Sequence, residues 1–254
     1  MVNIVNYNIS KLKSPGLHIY DNSEALLKGF SDFLIEKIQE YEGDEKIHIC
    51  LSGGNTPKGV FKMIGDQYKS RFPWQKIHLY WGDERCVPKS DPESNYGEAY
   101  RILLKNISIP EENIHFIDGS NLPEQEVKRY SDELMKHVPL RNGLPCFHVT
   151  ILGLGNDGHT ASIFPDQMFL LKSNDICAKA IHPESGQQRV TITGKVLNNS
   201  RLTCFLISGK NKALVLKNMI DANDNAHKYP AFHIQSETGN IHLFVDQFAA
   251  ELIR

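Results

Sequence analysis

The sequence predicts an α/β fold in which a doubly wound, largely parallel sheet carries helices on both faces. Two observations lead to it. Short apolar runs of strand length alternate with stretches of helical periodicity, and several of the runs end directly in glycine-bearing loops. A length of 254 residues suits a single α/β domain spanning residues 1–254. No internal repeat, low-complexity segment or linker divides it.

Leu17–Tyr20 reads as a short strand. Asn22 and Ser23 can cap a helix in which Leu26, Leu27, Phe30, Phe33, Leu34 and Ile38 form one apolar stripe. Ile47–Leu51 is an apolar strand, followed by Gly53-Gly54 and by Pro57, which suits the first helical position. Ile77–Trp81 is the next strand. Asn95–Leu104 and Glu124–His137 carry helical patterns, and Phe147–Leu152 is a buried-type strand that runs into a Gly-rich loop. Arg189–Thr193 and Leu202–Ile207 read as strands, Lys210–Ile220 as a helix, and Ile241–Val245 as the last strand before a terminal helix. Ligands of such sheets gather at the carboxyl ends of the strands, so the loops after the strands are the candidates for chemistry.

Bulk properties narrow the partners. A net charge of −2 supplies no global field for nucleic acid or for an anionic membrane. An anionic small molecule would have to be held by a few local cations and backbone N–H groups. No apolar stretch approaches the roughly 20 residues that cross a bilayer. Met1–Ser10 lacks the basic and apolar regions of a signal peptide, so none is expected. The five cysteines are odd in number, widely spaced and free of any C-x-x-C pair, which predicts buried free thiols in a reducing, cytoplasmic setting. The histidines form no H-x-H or H-E-x-x-H motif and no Cys/His cluster, so no metal or cofactor is expected.

Four post-strand loops stand out. Ser52-Gly53-Gly54-Asn55-Thr56-Pro57 can turn backbone N–H groups toward an anion at a helix N-terminus, although a plain strand–helix turn fits equally well. In Gly82-Asp83-Glu84-Arg85, the guanidinium of Arg85 can grip phosphate oxygens as a planar fork; on the loop alone, a surface salt-bridge cluster is the simpler reading. Gly153–Pro165 places Asp157 two residues before His159 among three glycines. A carboxylate beside an imidazole suits proton transfer near neutrality; a structural histidine is the alternative, whereas the glycine spacing is wrong for a dinucleotide fingerprint. In Ser208-Gly209-Lys210-Asn211-Lys212, Lys210 reads as a solvated side chain. No G-x-S-x-G elbow is present.

Taken together, these motifs resemble the 6-phosphogluconolactonase family across nearly the whole chain. The resemblance is carried by Leu51–Pro57, Asp83–Pro88 with Ser94–Gly97, Gly153–Pro165, Arg189-Val190-Thr191, and Ser208-Gly209 with Lys212. Two positions depart from the family pattern, Asn55 in place of a serine and Lys210-Asn211 in place of small residues. The resemblance implies the glucosamine-6-phosphate deaminase-like variant of the fold and hydrolysis of 6-phospho-D-glucono-1,5-lactone in the oxidative pentose phosphate pathway. It implies His159 as general base with Asp157 beside it. Arg85 and Lys212 then bind the substrate phosphate, with Ser52, Gly53, Gly54, Asn55 and Thr56 lining the pocket and Arg189 as a further cation. The expected partner is a small sugar phosphate, with the chain a monomer or small homo-oligomer. A glucosamine-6-phosphate deaminase and a non-catalytic sugar-phosphate-binding protein are the alternatives. The deaminases typically carry glutamate before the proline of the histidine loop, where this chain has Phe164 before Pro165.

Overall fold

The computed structural model describes residues 3–4, 16–41, 43, 45–236 and 240–253. The reading of Met1–Ser10 therefore lies, apart from residues 3 and 4, outside the described residues. In chain order the elements are β1 (Asn3–Ile4), β2 (Gly16–Tyr20), α1 (Ser23–Gln39), β3 (Ile47–Leu51), α2 (Asn55–Met63), β4 (Ile77–Trp81) and β5 (Asp83–Arg85). Then come α3 (Asn95–Ile102), β6 (Ile114–His115), α4 (Pro123–His137), β7 (Leu140–Arg141), β8 (Leu144–Pro145) and β9 (Val149–Gly153). The last are β10 (Cys177–Ile181), β11 (Gln188–Ile192), α5 (Gly194–Asn198), β12 (Leu202–Ile207), α6 (Ala213–Asp221) and β13 (Ile241–Asp246).

The main sheet runs β1-β2-β13-β12-β9-β3-β4-β6. Every pairing from β2 to β6 is parallel, and β1 is antiparallel to β2. All residues of β3, β4 and β12 are buried, so both faces of the sheet are covered, as the apolar runs predict. On one face Ile49, Leu51, Leu79 and Ile151 meet Leu34 of α1 and Val60 of α2. Alternation along the strands sends His48, Cys50, His78 and Tyr80 to the other face. Asn22 caps α1 as expected, its side chain accepting from the Ala25 N–H. From β3 the chain winds outward through β4 to β6. It then crosses back to β9 and winds the other way through β12 to β13. The loops after β3 and β9 thus diverge and leave a crevice between them at the carboxyl ends of the strands.

Several local expectations are corrected. The strand expected at Arg189–Thr193 exists, but β11 lies outside the main sheet. It pairs antiparallel with β10 and β5 in a separate sheet of three strands. Helix α2 begins at Asn55, so Pro57 sits in its first turn and not at its start; a missing N–H is harmless there because first-turn donors have no helical partner. Lys210–Lys212 form a tight turn before α6, and α3 ends at Ile102. The segment after β13 forms consecutive turns instead of a helix. Its leading carboxylate, Asp246, accepts from Ser208 Oγ, Gly209 N and Ala249 N, which ties the segment to the loop after β12. All five cysteines are free thiols, Cys86 half-buried and the others buried.

Imidazoles line two parts of the sheet, buried at His48 and His148 and half-buried at His18 and His242. His48 donates or accepts at Tyr80 Oη over 3.0 Å and stacks on His148, while His242 meets His18 at 2.8 Å. Burial, reinforced by neighbouring positive groups, pushes His48 down to about 3 and His242 to about 4. Both are depressed below the unfolded value of about 6.5, so between those limits the unfolded chain binds more protons. Stability is therefore lost as the pH falls from about 6.5 toward 4. Each such group contributes a slope of up to about 1.4 kcal/mol per pH unit. Thermal unfolding followed from pH 7 to pH 5 should show a falling midpoint, and His48→Asn should flatten the slope. A variant with an unchanged slope would remove His48 from this account.

Candidate active site

The crevice between the loops after β3 and β9 is a pocket of about 400 Å³, within the range of small-ligand sites. It is walled by Ser52–Pro57 after β3, by Asp83 and Arg85 of β5, by Arg189 of β11, by the loop after β9 and by Ser208, Asn211 and Lys212 after β12. Of the residues that the resemblance assigns to catalysis and phosphate binding, all line it except Asp157, which stands behind His159.

The loop after β9 is folded tightly on itself. Gly155 N donates to His159 O over 2.8 Å, and Thr160 Oγ1 to Gly153 O over 2.9 Å. Asp157 Oδ1 lies 2.6 Å from His159 Nδ1 and also accepts from the His159 backbone N–H at 3.1 Å. Burial would raise the Asp157 carboxyl, but the hydrogen bonds and charge of His159 hold it below its ordinary value. A carboxylate can only accept, so the proton of this hydrogen bond lies on Nδ1, and Nε2 is the ring nitrogen that Asp157 leaves free. Glycine is required beneath this pair: a Cβ on Gly155 would fall 2.2 Å from His159 Nδ1 and 2.5 Å from Asp157 Oδ1. The fully buried Phe164 packs behind the imidazole, their ring centroids 4.9 Å apart.

Arg85 and Arg189 face each other directly in the register of β5 and β11. Asp83 Oδ2, fixed by Ser162 Oγ at 2.6 Å, lies 3.9 Å from Arg189 Nη1. Arg189 Nη2 donates to Gln187 Oε1 over 3.1 Å, and Arg85 Nη1 donates to the Glu93 carbonyl. The Nε atoms of both arginines are buried with no hydrogen-bond partner. Burial, with Arg85 acting in the same direction, lowers the pKa of Arg189 against the pull of Asp83. Unpaired buried donors cost about 1–3 kcal/mol each.

The surface salt-bridge reading of this loop is overturned, because Asp83 and Glu84 are buried. Glu84 holds no side-chain cation. Its carboxylate accepts from the N–H groups of Arg85, Asn95 and Tyr96 and from Ser94 Oγ, which fixes the start of α3. That anchoring brings in Asn95, a lining residue the sequence reading missed. Its Nδ2 donates to the Asp83 carbonyl, and a Cβ on Gly53 would lie 2.0 Å from its Oδ1.

No side chain caps the N-terminus of α2, so its first-turn N–H groups remain available to the pocket. From the loop after β12, Lys212 Nζ and Asn211 Nδ2 both donate to Asn156 Oδ1, the latter over 2.8 Å. Burial lowers the pKa of Lys212, with Asp157 opposing. Lys210 points away, exposed and 3.3 Å from Glu251, as its solvated reading expects. Asn156, Ser208 and Asn211 carry no site assignment in the sequence reading, because uncharged polar residues in loops give no spacing signal; their place in the pocket identifies them.

Residues 21–243 match the family model described as glucosamine-6-phosphate isomerases/6-phosphogluconolactonase. The chain is 42% identical over 208 residues to a 6-phosphogluconolactonase of Haemophilus influenzae, covering 82% of this chain and 88% of the relative. A solved structure of 6-phosphogluconolactonase from Trypanosoma brucei superposes with a TM-score of 0.83 at 26% identity, covering 95% of this chain and 99% of that one. A monomeric glucosamine-6-phosphate deaminase shares the fold, with a TM-score of 0.77 at 20% identity over 93% of this chain and 99% of its own. The parallel sheet is thus of the deaminase-like type that the motifs imply.

Among the described residues no helix is long and apolar enough to cross a membrane.

The close approach at Gly155 yields a direct check. Gly155→Ala should leave the global fold intact while displacing the His159–Asp157 hydrogen bond. In proton NMR this bond should give a far-downfield Nδ1–H resonance that the variant lacks. A variant that keeps the resonance unchanged would mean that the loop tolerates a Cβ at this position.

Proposed function

The chain belongs to the glucosamine-6-phosphate isomerase/6-phosphogluconolactonase family, and from that membership we propose how its pocket works. The reaction is hydrolysis of 6-phospho-D-glucono-1,5-lactone to 6-phosphogluconate in the oxidative pentose phosphate pathway. The observation that carries this reading is one pocket holding both the oriented His159–Asp157 pair and three cations, Arg85, Arg189 and Lys212.

The substrate phosphate is held by these cations together with Ser52, Gly53, Gly54, Asn55 and Thr56 at the start of α2. Anchoring the distant phosphate orients the lactone carbonyl toward His159. Nε2 of His159 takes a proton from a water as the water oxygen attacks the ring carbonyl. The positive imidazole that forms is stabilised by Asp157 through Nδ1–H. The tetrahedral intermediate collapses with cleavage of the bond to the ring oxygen, and His159 returns its proton to that oxygen. A δ-lactone is an activated ester, so acid–base help of about 10²–10⁴ in rate is adequate. The substrate is a free sugar phosphate, and the five unpaired thiols support action in the cytoplasm.

Deamination of glucosamine 6-phosphate would need further proton transfers between adjacent carbons. Phe164, which packs on His159, can neither give nor take a proton. This favours the lactonase reading over the deaminase one.

His159→Ala should remove most of the rate above spontaneous lactone hydrolysis, while 6-phosphogluconate binding stays within a few-fold. The wild-type protein should release no ammonia from glucosamine 6-phosphate above background. Near-normal turnover by the variant would sink the base assignment, and ammonia release dependent on His159 would reverse the choice between the two reactions.

A further inference from the structure

His115, Glu133 and His137 take no part in the pocket described above. Glu133 and His137 are four residues apart on α4 and so share one face of that helix. His115, on the edge strand β6, faces them. Its Nδ1 lies 2.6 Å from Glu133 Oε1, and His137 Nε2 lies 3.8 Å from the same oxygen. All three ligand-capable atoms fall within 4.8 Å of one another, and the two imidazole centroids are 5.0 Å apart.

We propose that His115, Glu133 and His137 form a binding site for a divalent transition-metal ion of the zinc class. Two imidazoles and one carboxylate are the donor set such ions prefer, whereas calcium and magnesium require mostly oxygen ligands. Bonds of about 2.0–2.1 Å in a tetrahedral arrangement place neighbouring ligand atoms roughly 3.3 Å apart. The two distances to Glu133 Oε1, 2.6 and 3.8 Å, lie either side of that separation, and the two imidazole nitrogens lie within 4.8 Å of each other, so binding would draw the His137 ring toward His115.

The surroundings are those of a prepared ligand set. His115 is buried, and its Nε2 meets His78 Nδ1 at 2.9 Å, which fixes the ring and directs Nδ1 at the site. The Glu133 and His137 side chains are 28% and 34% exposed, which leaves an entry path and room for a water as the remaining ligand. Arg129, the nearby cation on α4, is committed to Glu126 and to the Phe116 carbonyl. Binding displaces the proton shared by His115 Nδ1 and Glu133. The Nδ1 proton leaves to solvent, the proton between His78 Nδ1 and His115 Nε2 moves onto His115 Nε2, and His78 takes up a proton from solvent at its other ring nitrogen. The ion would clip β6, a strand of two residues at the sheet edge, onto α4. It would thereby stabilise the folded chain by mass action, with no role in lactone hydrolysis.

The test uses the full-length protein after exhaustive chelation, titrated with Co²⁺ as a spectroscopic probe and then with Zn²⁺ in competition. One equivalent of Co²⁺ should give visible d–d absorption, Zn²⁺ should displace it, and saturating Zn²⁺ should raise the unfolding temperature. Loss of an outer-shell partner alone weakens metal sites by about 10–100-fold. His137→Ala and Glu133→Gln, both at partly exposed positions, should therefore each weaken Co²⁺ binding by at least about tenfold. His159→Ala should bind as the wild type does, and the chelated protein should retain its full rate of lactone hydrolysis. Absence of one-to-one binding, or binding unaffected by both α4 variants, would overturn the proposal. So would binding abolished by His159→Ala, because the ion would then lie in the active site.

Discussion

Strands β3 and β9 pair in parallel at the centre of the sheet, yet the chain leaves them toward opposite edges. The rest of the molecule follows from that divergence. Each strand is buried on both faces, so no ligand can reach the sheet except at the strand ends. At their carboxyl ends the departing loops cannot close over one another, and the gap becomes the pocket. One loop brings the uncapped N-terminus of α2 and the other brings His159. The small antiparallel sheet β10-β11-β5 then closes the side of the gap with two opposed arginines.

Within this frame the polar groups are placed by backbone hydrogen bonding more than by pairing of charges. Glu84 is spent on the amides that begin α3, and Asp246 on the amide and hydroxyl that begin the loop after β12. These two buried carboxylates hold Asn95 and Lys212 at the pocket without touching any cation there. The arginine Nε donors are buried without a hydrogen-bond partner, which is costly.

Much of this was legible in the sequence. The apolar runs Ile47–Leu51, Ile77–Trp81 and Leu202–Ile207 announce buried parallel strands because no polar alternation interrupts them. That Asp157 and His159 stand side by side is legible because two residues of a tight Gly-rich loop cannot lie far apart. The two-residue β6 and the three-residue β5 were not legible, since strands so short carry no periodicity. That β11 joins a second sheet was hidden for a related reason: Gln188–Ile192 looks like any strand, and its partners lie far away in sequence. The role of Glu84 was misjudged because a charged run beside an arginine suggests an ion pair, whereas the structure satisfies the carboxylate with N–H groups. His115, Glu133 and His137 escaped notice because only the fold brings β6 and α4 together.

The central claim is that the pocket holds a sugar phosphate at two ends, the phosphate among Arg85, Arg189, Lys212 and the start of α2, and C1 at His159. A crystal structure with 6-phosphogluconate tests it most directly. The account predicts phosphate oxygens within hydrogen-bond distance of those cations, and the C1 carboxylate within reach of His159 Nε2, with Nδ1 still bound to Asp157. A phosphate seated against His159, or a C1 carboxylate turned away from it, would contradict the account.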